Sequence, residues 1–217
     1  MTPARSIGRP RRIAGRDARE SLLDAAVGLF AENGVAGTSI AAIAERAGVT
    51  AAMVHYYFRN RAQLLDAVAG ERLLRIVNGV WAPVVAAEGL EAMLGGLVQR
   101  IVQAAEDHPW LPSLWLREVV SEGGQLRSRL LRMLPLEFIQ HLISTVAVAQ
   151  RRGEISSEIE PRLVLVSVLG LTLLPLAGLR MLQQVPLLQG VGREDIGRHA
   201  EALLASAFSK RRRRRAS

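Results

Sequence analysis

The chain has 217 residues, 49% of them apolar, and a mean hydropathy of +0.18, enough for a sizeable core in one large or two small domains. It contains no cysteine, which excludes disulfides, zinc fingers, thiol redox sensing and cysteine catalysis. The net charge of +8 is uneven: residues 1–61 carry nine arginines against five acids, residues 62–209 thirteen against fifteen, and residues 210–217 six basic groups and no acid. A basic head on a mildly acidic body is the layout of a nucleic-acid binder with a separate partner or effector domain.

The first residues lead into arginine-rich sequence with no apolar signal-peptide core, so the cytoplasm is the expected compartment. Residues 1–16 read as a flexible basic arm in which Arg9, Arg11 and Arg12 are placed to meet phosphates or a minor groove. Asp17 and Glu20 have the spacing of a reciprocal cap, after which Leu22, Ala26, Leu29 and Phe30 mark one face of a helix ended by Asn33-Gly34. Two short helices follow across a tight turn. Ile40, Ile43, Ala44 and Ala47 recur at helical spacing, Gly48 supplies the left-handed backbone that ends the first, and Val49 packs beneath the turn. In the second, Val54 and Phe58 are predicted to be buried, leaving Ala51, Ala52, His55 and Tyr56 on the opposite face. A face of small and aromatic residues suits a helix that reads DNA better than one facing only water. The same pattern assigns DNA contact to Tyr57, and phosphate contact to Thr38, Ser39 and Thr50 near helix starts and to Arg61.

From Gly48-Val49-Thr50 to Val54, through the aromatics ending at Phe58, to Arg61 and the helix containing Leu64 and Leu65, the stretch resembles the TetR/AcrR family of bacterial transcriptional regulators. Gly34, after Leu29-Phe30-Ala31, and Thr38-Ser39 fit that family's spacing, and the close match covers roughly residues 17–70. His55 stands where the family usually has Tyr, and Ala51 where a polar or basic residue is common, differences that bear on operator sequence. The resemblance implies an all-α chain with a helix-turn-helix head, residues 17–62, and a ligand-binding and dimerisation body, residues 63–209. It further implies a one-component regulator, expected to be a repressor released from an inverted-repeat DNA operator by a small-molecule effector.

Asn60 and Gln63 open a fourth helix, residues 61–81, that serves as connector and stops before Pro83. In the body, helices are expected over 90–105, 111–122 and 126–152, with Pro135 a kink or a restart. Residues 163–179 are uncharged, but Arg162 and Arg180 bracket only seventeen residues, too few to span a bilayer, which needs roughly 20. A helix apolar on every side must be covered on every side, which predicts a homodimer through Leu165, Leu169, Leu173 and Leu176, with Ile196, Leu203 and Leu204 of a last helix, residues 193–208. Trp81, Met93, Trp110, Trp115, Glu118, Met133, Phe138 and His141 are the candidates to line an effector cavity, against the plainer reading of ordinary core or exposed helix face.

The four histidines have no metal-ligand spacing, and no phosphate loop, Gly-x-Ser-x-Gly elbow or Ser-x-x-Lys sequence is present, so no enzyme, metal or cofactor is expected. The tail, residues 210–217, reads as a disordered basic extension, either solubilising or touching phosphates. The rival readings are an architectural nucleic-acid binder driven by the two basic ends, and a helical enzyme using the body cavity.

Overall fold

The computed structural model describes residues 15–82, 87 and 89–208, with side chains from residue 18; residues 1–14 of the expected arm and the basic tail lie outside them, and Gly15 and Arg16, expected in the arm, belong to the first helix. Among the described residues every regular element is helical. α1 (Gly15–Asn33) is already formed two residues before the predicted cap at Asp17, so that cap is corrected to a position inside the helix. Leu22, Leu23, Ala26, Val27 and Phe30 are buried along it at the three- and four-residue steps of one helix face. Gly34, at φ +74°, ends it, with its N–H donating to Phe30 C=O at 2.9 Å. α2 (Ile40–Arg46) starts on Ser39, whose Oγ accepts the Ala42 N–H, and ends at Gly48, φ +68°, where Val49 N–H reaches back to Ala44 C=O at 3.0 Å. α3 (Ala51–Phe58) buries Val54 and Phe58, as the sequence predicts. Asn60 Oδ1 then caps α4 (Arg61–Val68) by accepting the Gln63 N–H at 3.0 Å.

The connector continues through a π-helical turn at Ala69–Leu73 into α5 (Leu74–Trp81). That turn buries Ala69 and Leu73 and directs Glu71 and Arg72 to α1. Arg19 grips the Glu71 carboxylate through two bonds of 2.6 Å, while Arg72 meets Glu20 and Asp24, both at 2.9 Å. Hydrogen bonding from Arg19 holds the Glu71 carboxyl below its ordinary value of 4.5. A carboxyl depressed on folding contributes stability that is present above 4.5 and is lost as pH falls through the folded value. In urea titrations the deficit of Glu71→Gln relative to wild type is therefore expected at neutral pH and should close as pH falls below 4.5. A deficit that persists undiminished at low pH would contradict this origin.

The body contains α6 (Leu90–Asp107), α7 (Leu111–Trp115) with a π-helical turn at Leu116–Val120, α8 (Arg127–Met133), α9 (Leu136–Arg151), α10 (Val164–Ala177), α11 (Leu179–Leu182) and α12 (Arg193–Phe208). Pro135 is a restart, separating α8 from α9, because it cannot continue the hydrogen-bond ladder. The 111–122 helix is shorter than predicted in its α-helical part, giving way to the π turn at Leu116. α10 sits at the centre, packed against α6, α7, α9 and α12. One contiguous apolar cluster runs from Leu22 and Phe30 through Leu97 and Leu114 to Val168 and Leu204, so head and body share a core.

Burial corrects the register of the predicted dimer face. Leu173, Leu176, Ile196 and Leu204 point into the protomer's own core, and Leu165 and Leu169 are half-buried against it. Leu163, Val166, Gly170 and Leu174 instead form an exposed stripe at helical spacing along α10 and the residue before it, with Val166 and Leu174 each 61% exposed; Leu203 of α12 is exposed as well. The hydroxyl of Thr172, wholly buried, donates to Val168 C=O at 2.7 Å, which satisfies it within its own helix. Among the described residues no helix is long and apolar enough to cross a membrane.

Candidate nucleic-acid interface

The head presents one face of α3 to solvent because the other is committed to the core. Ala51, Ala52, His55 and Tyr56 are exposed, and the Tyr56 ring, 80% exposed, stands edge-on to the half-buried Tyr57 with ring centres 5.1 Å apart. At the start of α3, Thr50 occupies the cap position with no side-chain cap bond, so its hydroxyl is exposed beside the first N–H groups of the helix. Such a helix start favours an anion such as phosphate. Ser39 is also exposed, although its Oγ already serves the cap of α2.

Two predicted phosphate contacts are corrected. Thr38 is buried, and its hydroxyl donates inward to Gly34 C=O at 2.7 Å and Leu29 C=O at 3.3 Å, closing the α1–α2 turn. Arg61 is half-buried, its guanidinium donating to Thr38 C=O at 2.7 Å and to Val35 C=O. Gly34, Val35 and Thr38 C=O, which these side chains reach, belong to a turn that has no ladder of its own, which is where buried polar backbone must find partners. Arg9, Arg11 and Arg12 lie outside the described residues.

One basic group that the sequence reading did not single out takes a prominent place. Arg59, between α3 and α4, has φ 49° and ψ −47°, and Asn60 N–H closes a three-residue turn around it onto Phe58 C=O. Positive φ of this kind is strained for a residue with a Cβ. Arg46 is neutralised by Glu32 through bonds of 2.7 and 2.8 Å, and Arg19 by Glu71, whereas Arg59 is exposed and has no acidic partner among the described residues. Nothing in the sequence flags the position, since glycine or asparagine is the usual occupant of such a turn. If Arg59 meets phosphate, Arg59→Gly should raise stability by about 1 kcal/mol through relief of strain. It should also make the dependence of log affinity for DNA on log salt shallower by about 0.9. An unchanged salt slope would remove Arg59 from the interface.

None of the eight residues proposed to line an effector cavity borders the groove between α6, α9 and α12. Trp81 is buried and stacks on Phe138 at 6.3 Å between centres, Met93 is buried, and Trp110 lies against His108. Trp115 is half-buried, as is Met133, whose sulfur lies beside Gly70; His141 is exposed. Glu118 is neither on an exposed face nor in a cavity. It is 5% exposed, and its carboxylate accepts backbone N–H groups. A groove of about 830 Å³ lies between the start of α6, the end of α9 and α12. Leu90, Leu94, Ile155, Leu204 and Phe208 supply its apolar wall, and Glu91, Glu154, Glu201 and Arg198 its polar rim. No group of histidines and carboxylates able to hold a metal ion occurs among the described residues.

Residues 22–68 match the family model of bacterial regulatory proteins, tetR family. The chain is 34% identical over 82 residues to the HTH-type nicotine-responsive transcriptional repressor HdnoR of Paenarthrobacter nicotinovorans, covering 38% of this chain and 42% of that one. It is 29% identical over 133 residues to the HTH-type transcriptional regulator BetI of Rhizobium meliloti (strain 1021), covering 61% of this chain and 64% of that one. These matches thus span less than two thirds of either relative. Among solved structures, the transcriptional regulator FadR from Bacillus subtilis in complex with stearoyl-CoA covers 87% of this chain and 98% of its own, with a TM-score of 0.66 and 19% identity. The TetR family transcriptional regulator PfmR from Thermus thermophilus covers 88% of this chain and 95% of its own, with a TM-score of 0.64 and 15% identity. At these identities the likeness is one of fold.

Proposed function

We propose, from the match of residues 22–68 to the tetR family of bacterial regulatory proteins, that the chain is a dimeric, DNA-binding transcriptional repressor of that family that works in the cytoplasm and is released from its operator by a small molecule. The observation that carries the reading is α3: one face locked into the core by Val54 and Phe58, the other offering Ala51, Ala52, His55 and Tyr56 to solvent, as a helix that enters a major groove would. Thr50, Ser39 and Arg59 flank that face as phosphate contacts.

The second copy is proposed to cover Val166, Gly170 and Leu174 of α10 together with Leu203 of α12, since an apolar stripe of this length is otherwise left in water. Two heads related by that axis would enter successive major grooves, about 34–36 Å apart. An effector in the groove beside α6 and α12 would act through packing, because α6 also touches the connector helix α5. A coupling on the order of 1–3 kcal/mol suffices. Three carboxylates against one guanidinium on its rim disfavour a polyanion such as the acyl-CoA held by the structurally similar FadR. Selection from random duplexes tests the reading: an inverted repeat with half-sites one helical turn, or a multiple of it, apart supports it, and recovery of unrelated sequences counts against it.

A further inference from the structure

Glu118 is a buried carboxylate that neither DNA contact nor the groove employs. It lies on the π-helical turn Leu116–Val120, and its two oxygens serve different partners: Oε1 accepts Val35 N–H at 2.8 Å, in the α1–α2 turn of the head, and Oε2 accepts Gln125 N–H at 2.9 Å, in the body. A carboxylate with this little exposure is costly unless its lone pairs are satisfied, and both oxygens here are bonded. The approach is close enough that a Cβ added at Gly34 would stand 3.3 Å from Glu118 Oε1 and from Arg117 Cδ.

The two sides of this bridge differ in what they can transmit. On the body side, Arg127 donates to Val119 C=O and Val120 C=O, both at 2.7 Å, and Ser121 Oγ donates to Leu116 C=O at 2.7 Å, so the segment 116–127 is tied together by its own hydrogen bonds. The same π turn packs against α10, the helix that carries the proposed dimer stripe. On the head side, Arg61 grips the carbonyls of Val35 and Thr38. The turn that launches α2 is therefore held by the body through Val35 N–H and by the connector through Val35 C=O.

We infer that Glu118 is a positioning residue that fixes the orientation of the helix-turn-helix relative to the body, and is the link through which a shift of the 116–127 segment reorients the head. The inference rests on the regulatory reading above and adds the route by which body and head communicate. It differs from a purely stabilising role in what its loss does: the head stays folded on its own buried residues Ile43, Val54 and Phe58, but its angle to the body is no longer single-valued.

The chain has no cysteine, so a Glu45→Cys/Gln103→Cys pair on exposed positions of head and body can be spin-labelled cleanly and diluted into unlabelled protein. The head–body distance distribution is expected to be narrow in the parent and clearly broader in Glu118→Ala, with faster exchange of the Val35 amide and unchanged protection of Leu97 and Val98 in the body core. Glu118→Gln, which keeps the volume but has one acceptor oxygen in place of two, is expected to lie between them, and it carries the test if the alanine variant fails to fold. Preference for the selected operator over random duplex should fall about tenfold in Glu118→Ala, with affinity for random DNA unchanged. An unbroadened distribution in both variants, or a broadened one with operator preference within twofold of wild type, overturns the assignment. Absence of any operator preference in wild type brings down the regulatory reading instead, and the label distances then decide the positioning role alone.

Discussion

Replacing Tyr56 with alanine is expected to weaken operator binding by about 1–3 kcal/mol, roughly 5- to 150-fold, while leaving the melting temperature almost unchanged. The ring is 80% exposed and packs edge-on to Tyr57 at the surface, so its removal opens no cavity. Random duplex should lose much less, because phosphate contacts survive. A large loss of stability, or equal loss on operator and random DNA, would mean that the ring does not read bases.

The second large effect separates two adjacent leucines on α10. Leu174→Arg places a cation on the exposed stripe, where the proposed partner would have to bury it, so the protein is expected to stay helical and sediment as a monomer. Leu173→Arg buries the same cation inside the protomer, where Leu173 is 5% exposed, at a cost of several kcal/mol, a large share of a typical 5–15 kcal/mol margin. It should unfold the chain. If both variants remained dimers, the stripe would not be the interface; if both unfolded, α10 would be buried all round within one protomer.

Those two residues also mark what was legible beforehand. The end of α2 and the start of α4 followed from Gly48 and Asn60, because caps and left-handed glycines act locally. The reading face of α3 followed from the four-residue separation of Val54 and Phe58. The register of α10 did not: when nearly every position is apolar, periodicity cannot say which stripe is covered by the same chain and which is left bare. The π turns at 69–73 and 116–120 were hidden for a related reason, since one extra residue per turn leaves the apolar pattern almost intact. Thr38, Arg61 and Glu118 were assigned outward roles because their partners are backbone groups of the 29–38 and 125 positions, in two cases more than twenty residues away. Backbone acceptors and donors have no letter in the sequence.

The central claim is that the head distinguishes one DNA sequence from others through α3, and is not merely held to DNA by charge. The most direct measurement titrates the full chain onto its selected inverted repeat and onto a scrambled duplex of equal length, across salt from about 50 to 200 mM, where a protein making several phosphate contacts loses about 10³–10⁵ in affinity. The two log–log lines are expected to fall in parallel, separated by about 10³ or more in affinity, with the separation shrinking in Tyr56→Ala. Lines that coincide at every salt concentration, or a separation untouched by that substitution, would contradict the account and leave an architectural binder driven by its basic ends.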